Sequence, residues 1–488
     1  MDTTVTHPAM NRAQRMSAMT TALSWPLSHQ SEQAAFPARH SEGIQVHNWS
    51  AWHLPLQKTV EAYWCMQGEK DKRLYAITDA FAQNNGQLGV SDARYVNAIK
   101  LLLQAFTPIE YSAHRGYARV ARQLGEAHVQ TQALMQSLDH LRHQQIETHA
   151  LSHFNKYFNG MHSFTEWFDQ HWFLAVAKSY ADDLLSAGPH EFLVAMAFGY
   201  NQVISQVLHV PFMSAAVDNG DMSTANAGLS AQSDKVRHQA AGLSLIEFLV
   251  REDAANLPLV QGWIDKWFWR SVRLSSLVAI MQDYMLPTRT HSWLTSWTTY
   301  VQQPLQQVFN TWVPLGLKPP SSWQQACEQQ THVSHQTWLR LCRYSASLPL
   351  HVWAPNPDEL DWLSHQYPGT FDILYRPHLQ GLAHQIAHGQ RPGAETAPVL
   401  CGTCQLPAIG NSRSEAQAQR KSHQGRYFSG LHCQNIFNLQ PDKHRQQADW
   451  NTKAWSPIPH LLHADVGLFA GSEDEKHFKE WNGEVQQS

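Results

Sequence analysis

From about residue 61 to residue 350, apolar side chains recur at three- and four-residue intervals, and almost nothing alternates with period two. Segments 94–106, 129–155, 191–209 and 229–250 carry this spacing. Pro108, Gly116, Gly160, Gly188-Pro189 and Asn219-Gly220 punctuate it where helix boundaries are expected. A chain written this way buries its apolar stripes by packing helix on helix, so the spacing predicts an all-α bundle of long helices. Segment 257–286 is apolar over much of its surface but carries Asp265, Lys266, Arg270 and Arg273. It reads as a buried helix pair and not as a membrane span.

Around this bundle, at 61–350, the remaining sequence divides by character. Residues 1–60 are mixed and proline-containing, with Trp25, Trp49 and Trp52, and read as an N-terminal arm. After Pro349 prolines and glycines thicken into a connecting segment, 351–400, followed by a Cys-containing module at 401–446 and a polar tail at 447–488. The 36 basic and 40 acidic residues nearly balance, which leaves no electrostatic argument for nucleic acid or an anionic membrane. The N-terminus lacks the apolar stretch of a signal peptide, and six cysteines are too few for a disulfide scaffold. The expectation is a soluble, cytoplasmic protein. Its 19 tryptophans point to wide helix-packing surfaces or subunit interfaces, hence to an oligomer, and Cys65, Cys327 and Cys342 read as buried residues without partners.

One internal echo carries chemistry. Asp139-His140-Leu141-Arg142-His143 and Asp234-Lys235-Val236-Arg237-His238 share the pattern D-x-[LV]-R-H, 95 residues apart, each inside a helical segment. Two such helices facing one another would aim His143 and His238 at one central site. Asp139 and Asp234 would then orient the imidazoles across the pair, as carboxylates do behind metal-bound histidines. Bundles that hold two irons take lone Glu residues from two helices and Glu-x-x-His from two others. Here the lone-Glu helices would be 107–115, with Glu110, and 191–206.

The runs LYAITDAFAQNNG, SDARYVNAIKL, KSYADDLLSAGPHEFL, VPFMSAAVDNGDM, SAQSD, WIDKWFWR and DYMLP go further. With them the chain resembles, from about residue 20 to 446 and in the same order, the large (α) subunit of bacterial multicomponent phenol hydroxylases. These are soluble di-iron monooxygenases, related to the toluene and methane enzymes. The resemblance implies a ferritin-like bundle, two irons, and NADH- and O2-dependent hydroxylation of an aromatic small molecule. It also implies β- and γ-type subunits, a small effector protein and a flavin and iron–sulfur reductase as partners. Glu110 matches the family's first carboxylate, His143 and His238 its two imidazoles, and Asp139, Arg142, Asp234 and Arg237 the residues that flank them. Ser205, four residues after Asn201, matches a small hydroxyl residue on the dioxygen side of the pocket and is the candidate catalytic residue. The alternative is a helix serine bonded to its own backbone.

Three positions depart from the family, which has Glu where this chain has His140, Asn201 (with Gln202 the neighbouring alternative) and Lys235. Four carboxylates would balance two ferrous ions. One carboxylate and one ammonium sum to zero. The dinuclear centre is therefore expected to be lost or remodelled. Either Glu110, His143 and His238, with or without His140, hold a single iron or zinc, or Lys235 and Glu110 form a metal-free ion pair inside a polar network. Three functions remain open: a hydroxylase α-like subunit with altered chemistry, an active phenol hydroxylase despite the substitutions, and a non-catalytic scaffold or regulatory paralogue. In the C-terminal module, Cys401-Gly402-Thr403-Cys404 and, 29 residues on, Cys433 beside His432 suggest a zinc knuckle. The relatives carry a second cysteine pair where this chain has Ser429, so His432 (or His423) is the candidate fourth ligand.

Overall fold

The computed structural model describes residues 30–37, 42–90, 93–154, 172–343, 355–388, 399–407 and 425–445. Among these residues there is no β-strand, only isolated bridges between Leu400 and Pro407 and between Cys401 and Tyr427. Eight helices build the part that matters here: α1 (Val60–Gln83), α2 (Ala93–Leu124), α3 (Ala127–Phe154), α4 (Trp172–Ser186), α5 (Pro189–Val194), α6 (Ser205–Asp218), α7 (Met222–Glu252) and α8 (Asn256–Ile280). Helices α5 and α6 are joined without a break by a π-helical stretch, Ala195–Ile204, every residue of which is buried. Thr59 caps α1 by accepting from the Ala62 amide. Asp221 caps α7 by accepting from Thr224 N at 3.0 Å and also takes the Tyr95 hydroxyl at 3.0 Å, which ties that helix start to α2.

Two expected boundaries are not boundaries. Pro108 lies inside α2, where an internal proline costs about 3 kcal/mol. Around it Leu102, Ala105, Phe106, Ile109 and Ala113 are all buried. Each large apolar side chain among them contributes about 1.5–3 kcal/mol, so packing outweighs the local penalty. Gly116 also lies within α2, because a Cβ there would stand 2.0 Å from the Phe192 ring; the glycine lets α5 approach. Gly160, Trp25, His423, residues 351–354 and 389–398 of the connecting segment, and the tail fall outside the described residues.

The expected helix pair at 257–286 is one continuous rod. Met281 keeps right-handed helical angles, and α8 runs on into a π-helical turn, Met281–Met285. Its apolar surface is spent inside the chain, with Trp267, Phe268, Trp269, Leu274 and Leu277 buried. Its charges are internal anchors: Lys266 pairs with Asp183 and Glu191, and Arg270 with Asp183. The apolar surface of this segment is therefore no argument for a partner. Trp172, Trp267, Trp269, Trp293, Trp297, Trp312 and Trp338 are fully buried in the chain's own core. Cys65 is exposed and Cys327 half-buried, which corrects the reading of both as buried residues. The Cys342 side chain is outside the described set.

Candidate functional site

Helices α2, α3 and α7 and the π-helical stretch converge on one buried centre. Glu110 comes from α2, Asp139, His140 and His143 from α3, Asp234, Lys235 and His238 from α7, and Tyr200 and Asn201 from the π-helical stretch; all are buried. The repeated D-x-[LV]-R-H motif places its two histidine rings 6.4 Å apart, centroid to centroid. The aspartates act across the pair. Asp234 on α7 holds His143 Nε2 at 3.1 Å, and Asp139 on α3 holds His238 Nε2 at 2.8 Å. Both Nδ1 atoms are thereby left for the interior: His143 Nδ1 lies 3.3 Å from Glu110 Oε2, and His238 Nδ1 has no partner.

A second layer fixes the aspartates. Arg237 donates to Asp139 at 2.6 Å and to Asp234 at 3.1 Å, and Arg142 donates to Asp234 at 3.1 Å. From α1, Tyr63 donates to Asp139 at 2.8 Å, Gln67 to Asp234 at 2.9 Å and Lys70 to Asp234 at 2.6 Å. Arg142 Nε also lies 3.0 Å from Asp71. Lys70, Arg142, Arg237 and Lys235 thus stand against Asp71, Asp139, Asp234 and Glu110, and the formal charges cancel.

At the middle of the centre sits an ammonium. Lys235 Nζ is 2.8 Å from Glu110 Oε1, 3.4 Å from His140 Nδ1 and 4.6 Å from the centroid of the Tyr200 ring. His140 Nδ1 is 2.6 Å from Glu110 Oε2, and the Tyr200 hydroxyl donates to Glu110 Oε1. Burial pushes the Glu110 carboxyl up, but Lys235 and the two histidines outweigh it and hold the group well below the usual carboxylate range. Burial and Lys235 lower His140 to about 3, and burial lowers His238 to about 4 against the pull of Asp139. His143 goes the other way: burial and Lys235 press it down, yet its bonds to Asp234 and Glu110 leave it raised. Oxygen and nitrogen atoms of Glu110, His140 and His143 lie within 4.8 Å of one another, a spacing compatible with a single ion; His238 is not in that group.

Asn201 and Ser205 face the same interior. Neither amide atom of Asn201 nor the Ser205 hydroxyl has a hydrogen-bond partner. Ser205 is therefore not bonded to its own backbone. Gln202, the neighbouring alternative to Asn201, is also buried, and its Nε2 lacks a partner.

Tyr63, Gln67, Lys70 and Asp71 on α1, with Glu147 and Tyr200, escaped the sequence reading. Tyr200 adjoins Asn201 and reaches Glu110 only because the π-helical stretch turns both residues inward. Lys70 and Glu147 were hidden among ordinary charged helix positions. Glu147, one turn after His143, accepts from Thr107 at 2.6 Å and lines an apolar pocket with Leu102, Phe106, His143, Leu208 and Phe212. Burial and the neighbouring Glu110 charge push its carboxyl up to about 7. Its four-residue spacing from His143, on the same helix face, was the available signal.

The C-terminal module places three thiols together. Cys401, Cys404 and Cys433 are buried with their sulfurs within 4.8 Å of one another. The Ser429 hydroxyl lies 3.6 Å from Cys404 Sγ and 3.4 Å from Cys433 Sγ. His432 is not part of the group: its ring packs 4.9 Å from that of Trp269, whose Nε1 donates to Cys433 Sγ at 3.2 Å.

Residues 25–253 match the sequence model of the Methane/Phenol/Alkene Hydroxylase family. The chain is 43% identical over 445 residues to DmpN, the oxygenase component of phenol 2-monooxygenase from Pseudomonas sp. (strain CF600), covering 90% of this chain and 85% of that one. The chain belongs to the methane/phenol/alkene hydroxylase family. A more distant member, the oxygenase component subunit alpha of the alkene monooxygenase system of Xanthobacter autotrophicus, is 22% identical and aligns with 86% of each chain. The solved phenol hydroxylase from Pseudomonas sp. OX1 superposes with a TM-score of 0.87 at 39% identity, covering 97% of this chain and all of that one. The helical hydroxylase fold thus runs through nearly the whole chain. None of its described helices is long and apolar enough to cross a membrane.

Proposed function

We propose that this chain is an oxygenase-component α-type subunit of the phenol and toluene hydroxylase class whose centre no longer assembles a pair of irons. The observation that carries the reading is the Lys235 ammonium, 2.8 Å from Glu110, the carboxylate that His140 and His143 share. Two ferrous ions would bring four positive charges to a centre where the ammonium of Lys235 already pairs with Glu110. The other facing groups are imidazoles, the Asn201 amide and Glu147, whose carboxyl is pushed up to about 7. Such a donor set does not fit two irons. In effect the chain supplies its own cation, and a metal would have to displace it against a buried ion pair. A single ion held by Glu110, His140 and His143 is the second reading, supported by the proximity of their donor atoms.

As an assembled subunit the chain would act beside β- and γ-type subunits, an effector protein and a reductase, since its relatives are named as oxygenase components. The cytoplasm is the expected compartment. At the far end of the chain, Cys401, Cys404 and Cys433 would hold zinc, with Ser429 or water in the fourth position, because three thiolates already outweigh the charge of the ion.

Iron stoichiometry and a diferric absorption band test the central claim. The expected result is fewer than two irons per chain and no phenol hydroxylation at rates of about 1 per second or faster. The triple change His140→Glu, Asn201→Glu, Lys235→Glu is expected to recover two-iron binding, because Glu110, both imidazoles and their orienting aspartates are already in place. Two irons in the unmodified protein would overturn the reading.

A further inference from the structure

The outer surface of α3 carries a second cluster that the hydroxylase reading does not use. His149 and His153 are four residues apart on one face of α3, opposite Asp79 near the end of α1. Asp79 Oδ1 lies 2.9 Å from His149 Nε2 and 3.4 Å from His153 Nε2, and the two Nε2 atoms are 3.2 Å apart. A tetrahedral ion bound at about 2.0–2.1 Å has donor atoms about 3.3 Å apart along each edge. The three atoms therefore already form one face of such a tetrahedron. The side chains are 31%, 24% and 46% exposed for His149, His153 and Asp79, so the fourth vertex opens to water.

Hydrogen bonding alone satisfies this triangle poorly. If both imidazoles present N–H groups to Asp79, those two N–H groups oppose each other at 3.2 Å. If only one does, the other nitrogen directs its lone pair at a carboxylate oxygen. A cation at the centre satisfies all three donors at once. His–x3–His on one helix face is the spacing by which helices grip zinc-class ions. The edge of Tyr75, with its centroid 4.9 Å from that of His149, fixes one ring in place.

We propose that Asp79, His149 and His153 form a site for a divalent transition ion of the zinc class, with solvent as its fourth ligand, that clips the end of α1 to α3. The clip has something to hold. Along α1 only Tyr63, Gln67, Leu74 and Thr78 are buried, and beyond the centre its apolar contact with α3 and α7 is the small cluster of Leu74, Ile146 and Ala227. The ion adds a cross-link one turn past that cluster, where burial holds the helix least.

The test uses the full chain, stripped of metal with a chelator and dialysed against zinc and, separately, copper(II). Comparison with His149→Ala/His153→Ala isolates this site from the thiols and from the bundle centre. The unmodified chain is expected to bind one more zinc than the double variant. Its copper difference spectrum should show imidazole nitrogen coupling in electron paramagnetic resonance. Asp79→Asn should weaken that site at least tenfold, since even residues behind metal ligands cost about 10–100-fold in affinity when changed. Zinc should slow amide exchange in the last turn of α1 in the unmodified chain only. All three side chains are partly exposed, so the variants are expected to fold, and circular dichroism of the metal-free proteins checks this. Should the double variant not fold, Asp79→Asn alone decides the question through its affinity. Equal metal content in the folded proteins, no imidazole coupling in the difference spectrum, or undiminished affinity in Asp79→Asn would each overturn the proposal.

Discussion

The bundle centre and the C-terminal thiol group each bring metal-ligating side chains together, yet the charge beside them is not alike. At the centre, Lys235 brings a positive charge to the spot where a cation would sit and pairs with Glu110. In the thiol group, Ser429 is neutral, and its hydroxyl stays within 3.6 Å of two sulfurs. A missing donor can be replaced by water. An added ammonium in a buried site cannot be ignored, because in low dielectric it must be paired, and the pairing consumes the ligand. The charge a substitution introduces, more than the number of donors it removes, decides whether a metal site survives.

The comparison is most easily broken at the lysine. Lys235→Met is expected to destabilise the fold by about 3–5 kcal/mol in urea unfolding, because it leaves Glu110 buried and unpaired. Lys235→Met with Glu110→Gln should recover most of that loss. If the single change is neutral, the ammonium is not what holds this centre together.

Acid should reach the bundle centre before it reaches the ordinary carboxylates. His140 and His238 are held at about 3 and about 4, below the usual 6.5, so the unfolded chain takes up protons that the folded one refuses. Stability is then expected to fall as pH drops from 6.5 toward 4, by about 1.4 kcal/mol per pH unit for each imidazole. His143 is raised, and its contribution is complete below 6.5 and lost as pH climbs through its folded value. Urea titrations between pH 4.5 and 8 should therefore show a maximum near 6.5, with a shallower acid limb in His140→Gln.

The thiol group should respond differently. Ser429→Cys is expected to tighten zinc by at least tenfold, about 1.4 kcal/mol, measured by competition with a chelator. Cys401→Ser should release zinc and loosen residues 399–445 while the bundle stays folded. The smallest effect is expected at Ser205→Ala, within about 0.5 kcal/mol, since the buried hydroxyl has no partner to lose.

Much of this was legible in the chain itself. The three- and four-residue spacing specified helices because burial of a stripe requires that period. The doubled D-x-[LV]-R-H motif marked two helices that face each other, because its histidines and aspartates repeat in the same register. Local signals failed where packing overruled them: Pro108 and Gly116 looked like boundaries and lie within α2, one outweighed by burial and the other demanded by Phe192.

What the sequence determined by itself was therefore the helical class, the family and the identity of the charged residues, because periodicity and motif are properties of neighbours along the chain. Only the tertiary structure decided that Lys235 meets Glu110, that each aspartate serves the other helix's histidine, that Glu147 faces a pocket and that Asp79 joins His149 and His153. The reason is physical: these contacts join residues from separate helices. Their distances depend on how deeply each helix is seated against the others, which no single segment encodes.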